Sequence, residues 1–111
     1  MHSSDTGDGS DSEGDGLADQ IYQIERSLIR ENWLPFSLRG MLAMELPSMA
    51  MVARGKGRRW RQRLSSQLLT LSLACWAIGP SPMESETMSK LQALDRELQH
   101  EVDTNSHGSF D

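Results

Sequence analysis

The residues best suited to bind an anion lie in one short block near the middle of the chain. Positions 54–63 carry six bases, no acid and one tryptophan. Arginine forks pair with phosphates in a bidentate manner, and an indole can stack on an unpaired base. The block therefore predicts binding to RNA or to a nuclear import receptor. A membrane-flanking cluster and a merely solvated helix end are the alternatives. The candidate nucleic-acid-binding residues are Arg54, Lys56, Arg58, Arg59, Trp60, Arg61 and Arg63.

A leucine-rich stretch, residues 64–78, follows the basic block directly. Four of its leucines have the spacing of a leucine-rich nuclear export signal, in which apolar side chains enter a groove of the export receptor. The predicted receptor-binding residues are Leu64, Leu68, Leu71 and Leu73. The same stretch suits a buried core helix. It also suits a helix in a membrane interface with Trp76 as an anchor, although it is shorter than the ~20 residues that a span needs.

Residues that could support catalysis or metal binding are few. The chain has three histidines, at positions 2, 100 and 107, and a single cysteine, Cys75, inside an apolar run. One thiol cannot build a disulfide or a cysteine-based zinc site, and a cysteine in such a run is typical of a buried core position. No nucleophile elbow or phosphate-binding glycine loop occurs. The sequence therefore predicts no enzyme, no cofactor, no metal and no small-molecule substrate.

The net charge of −5 hides a strong segregation of charge along the chain. The first twenty residues carry six acids and no base. Residues 1–16 are nearly all Gly, Ser and Asp, which predicts a disordered acidic tail, and residues 104–111 are predicted to form a second disordered tail. In the first tail Ser10 and Ser12 each have an acid three residues later, so we predict phosphorylation there by an acidophilic kinase. A tail that only improves solubility is the alternative.

Apolar spacing predicts a mostly α protein, a small helical hairpin or bundle over residues 17–103. A first helix follows from the recurrence of Leu17, Ile21, Ile24 and Leu28, and Pro35 should end it. The next helix should be short, because Gly40 and Pro47 interrupt it. A third helix is expected over 58–78, from the basic block through the leucine stretch. A capping box beginning at Ser81 then predicts an amphipathic helix over 82–102, with Met88, Leu91, Leu94, Leu98 and Val102 on its apolar face.

The arginine block beside a leucine-rich run resembles the Rev/Rex-type RNA export adaptors of complex retroviruses. The resemblance implies RNA contact by Arg58, Arg59, Trp60, Arg61 and Arg63, and export-receptor binding by the four leucines. It also implies self-association through apolar helices, for which the candidates are Leu17, Ile21, Ile24, Leu28, Leu91, Leu94 and Leu98. The basic block is shorter than in that family and contains glycines, no spacer separates it from the leucines, and Trp76 and Ile78 prolong the apolar run.

The predicted function is thus that of an RNA-binding adaptor that shuttles between nucleus and cytoplasm. The first alternative is a membrane-surface accessory protein anchored by residues 58–78. The second is a helical module that binds another protein through the apolar face of residues 88–102.

Overall fold

Four helices form an antiparallel bundle in the computed structural model, which describes the backbone of residues 9–110 and the side chains of residues 14–99. They are α1 (Gly9–Arg30), α2 (Phe36–Gly55), α3 (Trp60–Ile78) and α4 (Glu86–Phe110). Helices consecutive in sequence pack side by side and α4 returns beside α1, so α1 lies diagonally from α3 and α2 from α4. The predicted fold class, a small helical bundle, is confirmed.

The core is built from one apolar stripe on each helix, at the three- and four-residue spacing of a helix face. Removing a leucine-sized side chain from water contributes about 1.5–3 kcal/mol, so these stripes supply most of the driving force for folding. The stripes predicted for the first and last helices are among them. The main core residues are Leu17, Ile21, Ile24 and Leu28 of α1, Leu38, Leu42, Leu46 and Met49 of α2, Leu64, Leu68, Leu71 and Cys75 of α3, and Met88, Leu91, Leu94 and Leu98 of α4.

Helix α2 continues through Pro47, so the prediction that this proline shortens the helix is wrong. A proline inside a helix loses one hydrogen bond, here to the carbonyl of Ala43, and costs ~3 kcal/mol. Both Pro47 and Ala43 are exposed, so water can satisfy that carbonyl. On the opposite side of the helix Leu46 and Met49 are fully buried, and their packing offsets the cost.

Helix α1 begins at Gly9, inside the segment predicted to be a disordered tail over 1–16. The physical reason lies at Gly14, which packs against the end of α2. A β-carbon at Gly14 would lie 2.5 Å from the carbonyl oxygen of Ala53 and 2.9 Å from the side chain of Lys56. Only glycine allows the backbone of α1 to come this close to α2. Glycine usually favours disorder, but at position 14 it permits close packing of the two helices. The predictions for residues 1–8 lie outside the described residues.

The connections at one end of the bundle, residues 31–35 and 79–85, meet at the N-terminus of α4. We call this the capped end, because the carboxylate of Glu31 accepts hydrogen bonds from the backbone N–H groups of Glu86 (2.8 Å) and Thr87 (2.9 Å) and from the Ser85 hydroxyl (2.7 Å). Ser85 is itself the N-cap, since its oxygen accepts the N–H of Met88 at 3.2 Å. The predicted start of this helix at the Ser81 capping box is therefore wrong. Helix α4 runs to Phe110, beyond the predicted limit of 102.

Partial burial tends to raise the pKa of Glu31, but these hydrogen bonds outweigh it and hold the pKa below its ordinary value. A carboxylate at a helix N-terminus also interacts favourably with the helix dipole. Helix α4 thus begins at an anion that the chain itself supplies.

Candidate nucleic-acid interface at the α2–α3 junction

The predicted basic block forms the connection at the other end of the bundle, which we call the junction end. Helix α2 closes at Lys56, whose N–H donates to the carbonyl of Val52 at 3.2 Å, and α3 starts at Trp60. Lys56 (φ 50°) and Arg59 (φ 59°) both adopt the left-handed conformation, whereas no described glycine does. The predicted continuous helix from 58 is therefore wrong by two residues, because the chain turns at Arg59.

Left-handed backbone at a residue with a side chain costs roughly 1–2 kcal/mol, and glycine would remove most of that cost. The junction instead has basic residues at both left-handed positions, while Gly55 and Gly57 occupy positions that any residue can adopt. Strain of this kind is found preferentially at functional sites. At Lys56 this conformation closes α2, and at Arg59 it precedes the first turn of α3.

Four of the predicted nucleic-acid-binding residues are exposed at this end: Arg54, Arg58, Arg59 and Arg63. Arg54 lies at the end of α2, with its guanidinium 5.7 Å from the ring centre of Tyr22. The other three surround the start of α3. Arginine carries its charge at any physiological pH, and an exposed guanidinium keeps its five donors available for a ligand.

The other three predicted residues are partly buried. Trp60 packs against the core, and the guanidinium of Arg61 lies 5.3 Å from its ring centre. The indole is therefore engaged within the protein and less available to stack on a base than predicted. The ammonium of Lys56 lies 3.7 Å from the carboxylate of Asp15 in α1.

An open surface hollow of about 840 Å³ adjoins the exposed arginines. Three polar residues that line the hollow, Gln62, Ser66 and Gln67, were not predicted from the sequence. They follow Arg59 and Arg63 at helical spacing, so a count of helical periodicity would have found them. Gln67 is fixed there by donating to the Ser48 hydroxyl at 3.2 Å, across the α2–α3 contact. The lining residues are Arg58, Arg59, Gln62, Arg63, Ser66 and Gln67.

The electrostatics of the junction end favour an anion. Among the described residues, the first turn of α3 contains no acid and its N-cap residue makes no side-chain capping bond. The positive end of the α3 dipole is therefore not neutralised by a carboxylate of its own. Residues 46–83 include no acid, and among the described side chains the acid paired with this block is Asp15 of α1, at Lys56.

The four leucines of the predicted export signal are divided between core and surface. Leu64, Leu68 and Leu71 are at most 2% exposed, whereas Leu73 is 62% exposed. A receptor groove that takes all four side chains requires α3 to leave the bundle.

The residues predicted to drive self-association are buried against one another within a single chain. Leu17, Ile21, Ile24 and Leu28 meet Leu91, Leu94 and Leu98 in the core shared by the four helices. An oligomer of folded copies must therefore use another surface. The same burial removes the alternative in which the apolar face of residues 88–102 binds a protein partner while the bundle stays folded.

The remaining candidates give no further site. Burial raises the pKa of the Cys75 thiol to about 11, so it stays protonated at neutral pH. No group of three histidine, cysteine or carboxylate side chains that could hold a metal occurs within the part of the chain whose side chains are described. The side chains of Ser10 and Ser12 lie outside that part. No helix of the described chain is long and apolar enough to cross a membrane.

Comparisons with protein-family models, with curated proteins and with solved structures find no match. The resemblance to Rev/Rex-type adaptors therefore depends on the residue pattern alone.

Proposed function

We propose that this chain is a small RNA-binding protein that holds the phosphate backbone of RNA at the junction end of the bundle. The observation that carries the proposal is the start of α3, whose first turn contains no acid and which is flanked by exposed Arg58, Arg59 and Arg63. Helix N-termini attract phosphates, and arginine forks add direction and charge.

RNA is favoured over a small anion because the cationic surface is extended. Arg54 on α2 and Arg63 on α3 lie on either side of the connection, and amide and hydroxyl groups line the hollow beside it. Such a surface suits successive phosphates and the 2′-hydroxyl of RNA, which both donates and accepts hydrogen bonds. Arg59 occupies the N-cap position of α3 with its side chain exposed.

The proposal covers RNA binding and leaves out nuclear export. Export requires Leu64, Leu68 and Leu71 in a receptor groove, and these side chains hold α3 in the core. Shuttling remains a prediction of the sequence. Nuclear accumulation of a fluorescent fusion in the presence of an export inhibitor tests it, and an unchanged distribution would argue against it.

The proposal is tested by fluorescence anisotropy of a labelled RNA stem-loop, titrated at several salt concentrations. The wild type is expected to bind with an affinity that falls as salt rises, because phosphate contacts release counterions. Arg58→Gln/Arg63→Gln is expected to bind at least about tenfold more weakly, with a salt slope reduced by roughly two, since each phosphate contact contributes about one.

The matched control is Arg26→Gln/Arg96→Gln, which removes the same charge from exposed positions on α1 and α4. It should bind RNA nearly as well as the wild type. Equal losses in the two variants would mean that net charge alone governs binding. No binding by the wild type at low salt would refute the proposed function.

A further inference from the structure

The outer face of α2 is apolar along about four turns. Phe36 is 87% exposed, Met44 75% and Met51 68%, and Gly40 and Pro47 lie exposed between them at helical spacing. We call these five residues the methionine face. The two acidic or basic residues of α2 before its last turn, Arg39 and Glu45, are only partly exposed and lie off this face. At 1.5 Å per residue the face is about 22 Å long.

Helix α4, diagonally opposite, has the reverse character. Its exposed positions in the described part are Glu86, Ser89, Ala93, Arg96, Glu97 and Gln99, with no large apolar side chain among them. Large exposed apolar side chains need an explanation when they occupy one continuous face, whereas single ones do not. Elsewhere the exposed large apolar side chains are Ile29 on α1, three residues of α3, and Trp33 and Met83 in the connections at the capped end. Helix α2 differs in carrying its exposed apolar residues in one line along the helix.

The methionine face runs directly into the cationic junction. Met51 and Arg63 line the same open hollow, together with Ser48, Val52, Gly55 and Gly57. Beyond Met51 follow the exposed guanidiniums of Arg54, Arg58 and Arg59. Residues 36–78 carry seven bases and one acid. The apolar face of α2 is therefore continuous with the cationic junction.

We propose that the methionine face and the adjoining arginines bind the surface of an anionic membrane. A helix in a bilayer interface buries its apolar face by ~5–10 Å while its cationic groups contact lipid phosphates and carboxylates. Phenylalanine supplies apolar area, and methionine adapts its shape to a disordered surface. The exposed positions of α2 up to Met51 bear no charge that would have to be desolvated.

A second copy of the chain fits this surface less well. Two methionine faces packed together would bring no exposed acid near the arginines, because α2 exposes none. Anionic headgroups supply that counter-charge. The face also differs from the membrane anchor predicted from sequence over residues 58–78, in which Leu64, Leu68 and Leu71 are unavailable because they are buried.

The membrane proposal stands apart from RNA binding. Its apolar residues Phe36, Met44 and Met51 do not line the larger hollow that contains Arg58 and Arg59, although Met51 lines the neighbouring hollow with Arg63. The two ligands share only the arginines, so excess RNA is expected to release the protein from vesicles.

The test is co-sedimentation of the full chain with vesicles of phosphatidylcholine alone and with about a third phosphatidylserine. We expect binding to the anionic vesicles and little binding to the neutral ones. Met44→Glu/Met51→Glu should bind the anionic vesicles at least about tenfold more weakly, since it removes apolar area and adds repulsion. The neutral variant Met44→Ser/Met51→Ser should lose binding through lost apolar area alone and keep its RNA affinity. Both positions are exposed, so the variants should fold, and circular dichroism checks that they do.

The matched control is Ser89→Glu/Ala93→Glu, which adds the same charge to exposed positions of α4. It should sediment with anionic vesicles almost as the wild type does. Equal losses in the control and in Met44→Glu/Met51→Glu, or equal binding to neutral vesicles, would overturn the proposal. It would also fall if the wild type stayed in the supernatant, or if ultracentrifugation found a dimer that Met44→Ser/Met51→Ser abolishes. Because RNA affinity is measured separately, none of these results bears on the proposed function.

Discussion

Helices α3 and α4 begin at opposite ends of the bundle, and the groups that surround their N-termini carry opposite charge. The first N–H groups of α4 donate to the carboxylate of Glu31, an anion that the chain supplies. Among the described residues, the start of α3 has no such capping carboxylate and is flanked by exposed arginines. The same physical feature, the positive end of a helix dipole, is neutralised by a carboxylate at one end and flanked by exposed arginines at the other.

The largest expected effect concerns the core that fixes α3. Leu68→Ala should lower the free energy of unfolding by about 3 kcal/mol. The leucine side chain is only 1% exposed, so its removal leaves a cavity in the core. Leu73→Ala, at a position 62% exposed, should change it by less than about 0.5 kcal/mol. Chemical denaturation measures both. Similar values would mean that α3 is not held in the bundle, and that the export signal is accessible after all.

The second prediction gives α3 an anion of its own. Arg59→Asp places a carboxylate at the N-cap and should weaken RNA binding by about 2 kcal/mol, or roughly thirtyfold. Aspartate also tolerates left-handed backbone, so the turn should persist. Arg59→Asn is the neutral control and should weaken binding less, as anisotropy titrations will measure. If the two variants bind equally, charge at the start of α3 does not determine affinity.

The third prediction removes the charge that caps α4. Glu31→Gln should lower the free energy of unfolding by about 1 kcal/mol at neutral pH, because charge-assisted capping bonds to α4 are lost. The folded pKa of Glu31 lies below its unfolded value, so its contribution is present above the unfolded pKa and lost as the pH falls through the folded one. Wild type and variant should therefore converge in acid. A difference independent of pH would mean that the charge of Glu31 is not responsible.

The smallest expected effect separates stability from binding at the junction. Arg59→Gly should raise the free energy of unfolding by about 0.5 kcal/mol, since glycine relieves the left-handed strain but loses more chain entropy. The same variant should bind RNA more weakly. Thermal unfolding and anisotropy give the two values, and a loss of stability would show that the arginine side chain holds the turn.

Periodicity predicted the fold class and much of the core, because apolar residues three and four apart define a helix face wherever the helix ends. The stripe from Leu17 to Leu28 and the stripe from Met88 to Leu98 are both buried as expected. The basic block could be found by composition alone. Its division into four exposed and three partly buried residues could not, because Trp60 and Lys56 are placed by contacts with the core and with Asp15.

The predictions of where helices begin and end were wrong where interactions between residues distant in sequence decide the boundary. Pro47 remains helical because Leu46 and Met49 are buried against other helices. The start of α4 is fixed by Glu31, 55 positions away from Glu86. Gly14 belongs to a packed helix because Ala53 approaches it, a contact that local composition does not reveal.

The most direct test of the comparison is a backbone amide NMR titration with a short RNA stem-loop. The account predicts that amide shifts change at the junction end, over residues 56–63, while the amides of Glu86, Thr87 and Met88 at the capped end stay unchanged. Changes centred on the start of α4, or changes of similar size at both ends, would contradict the account.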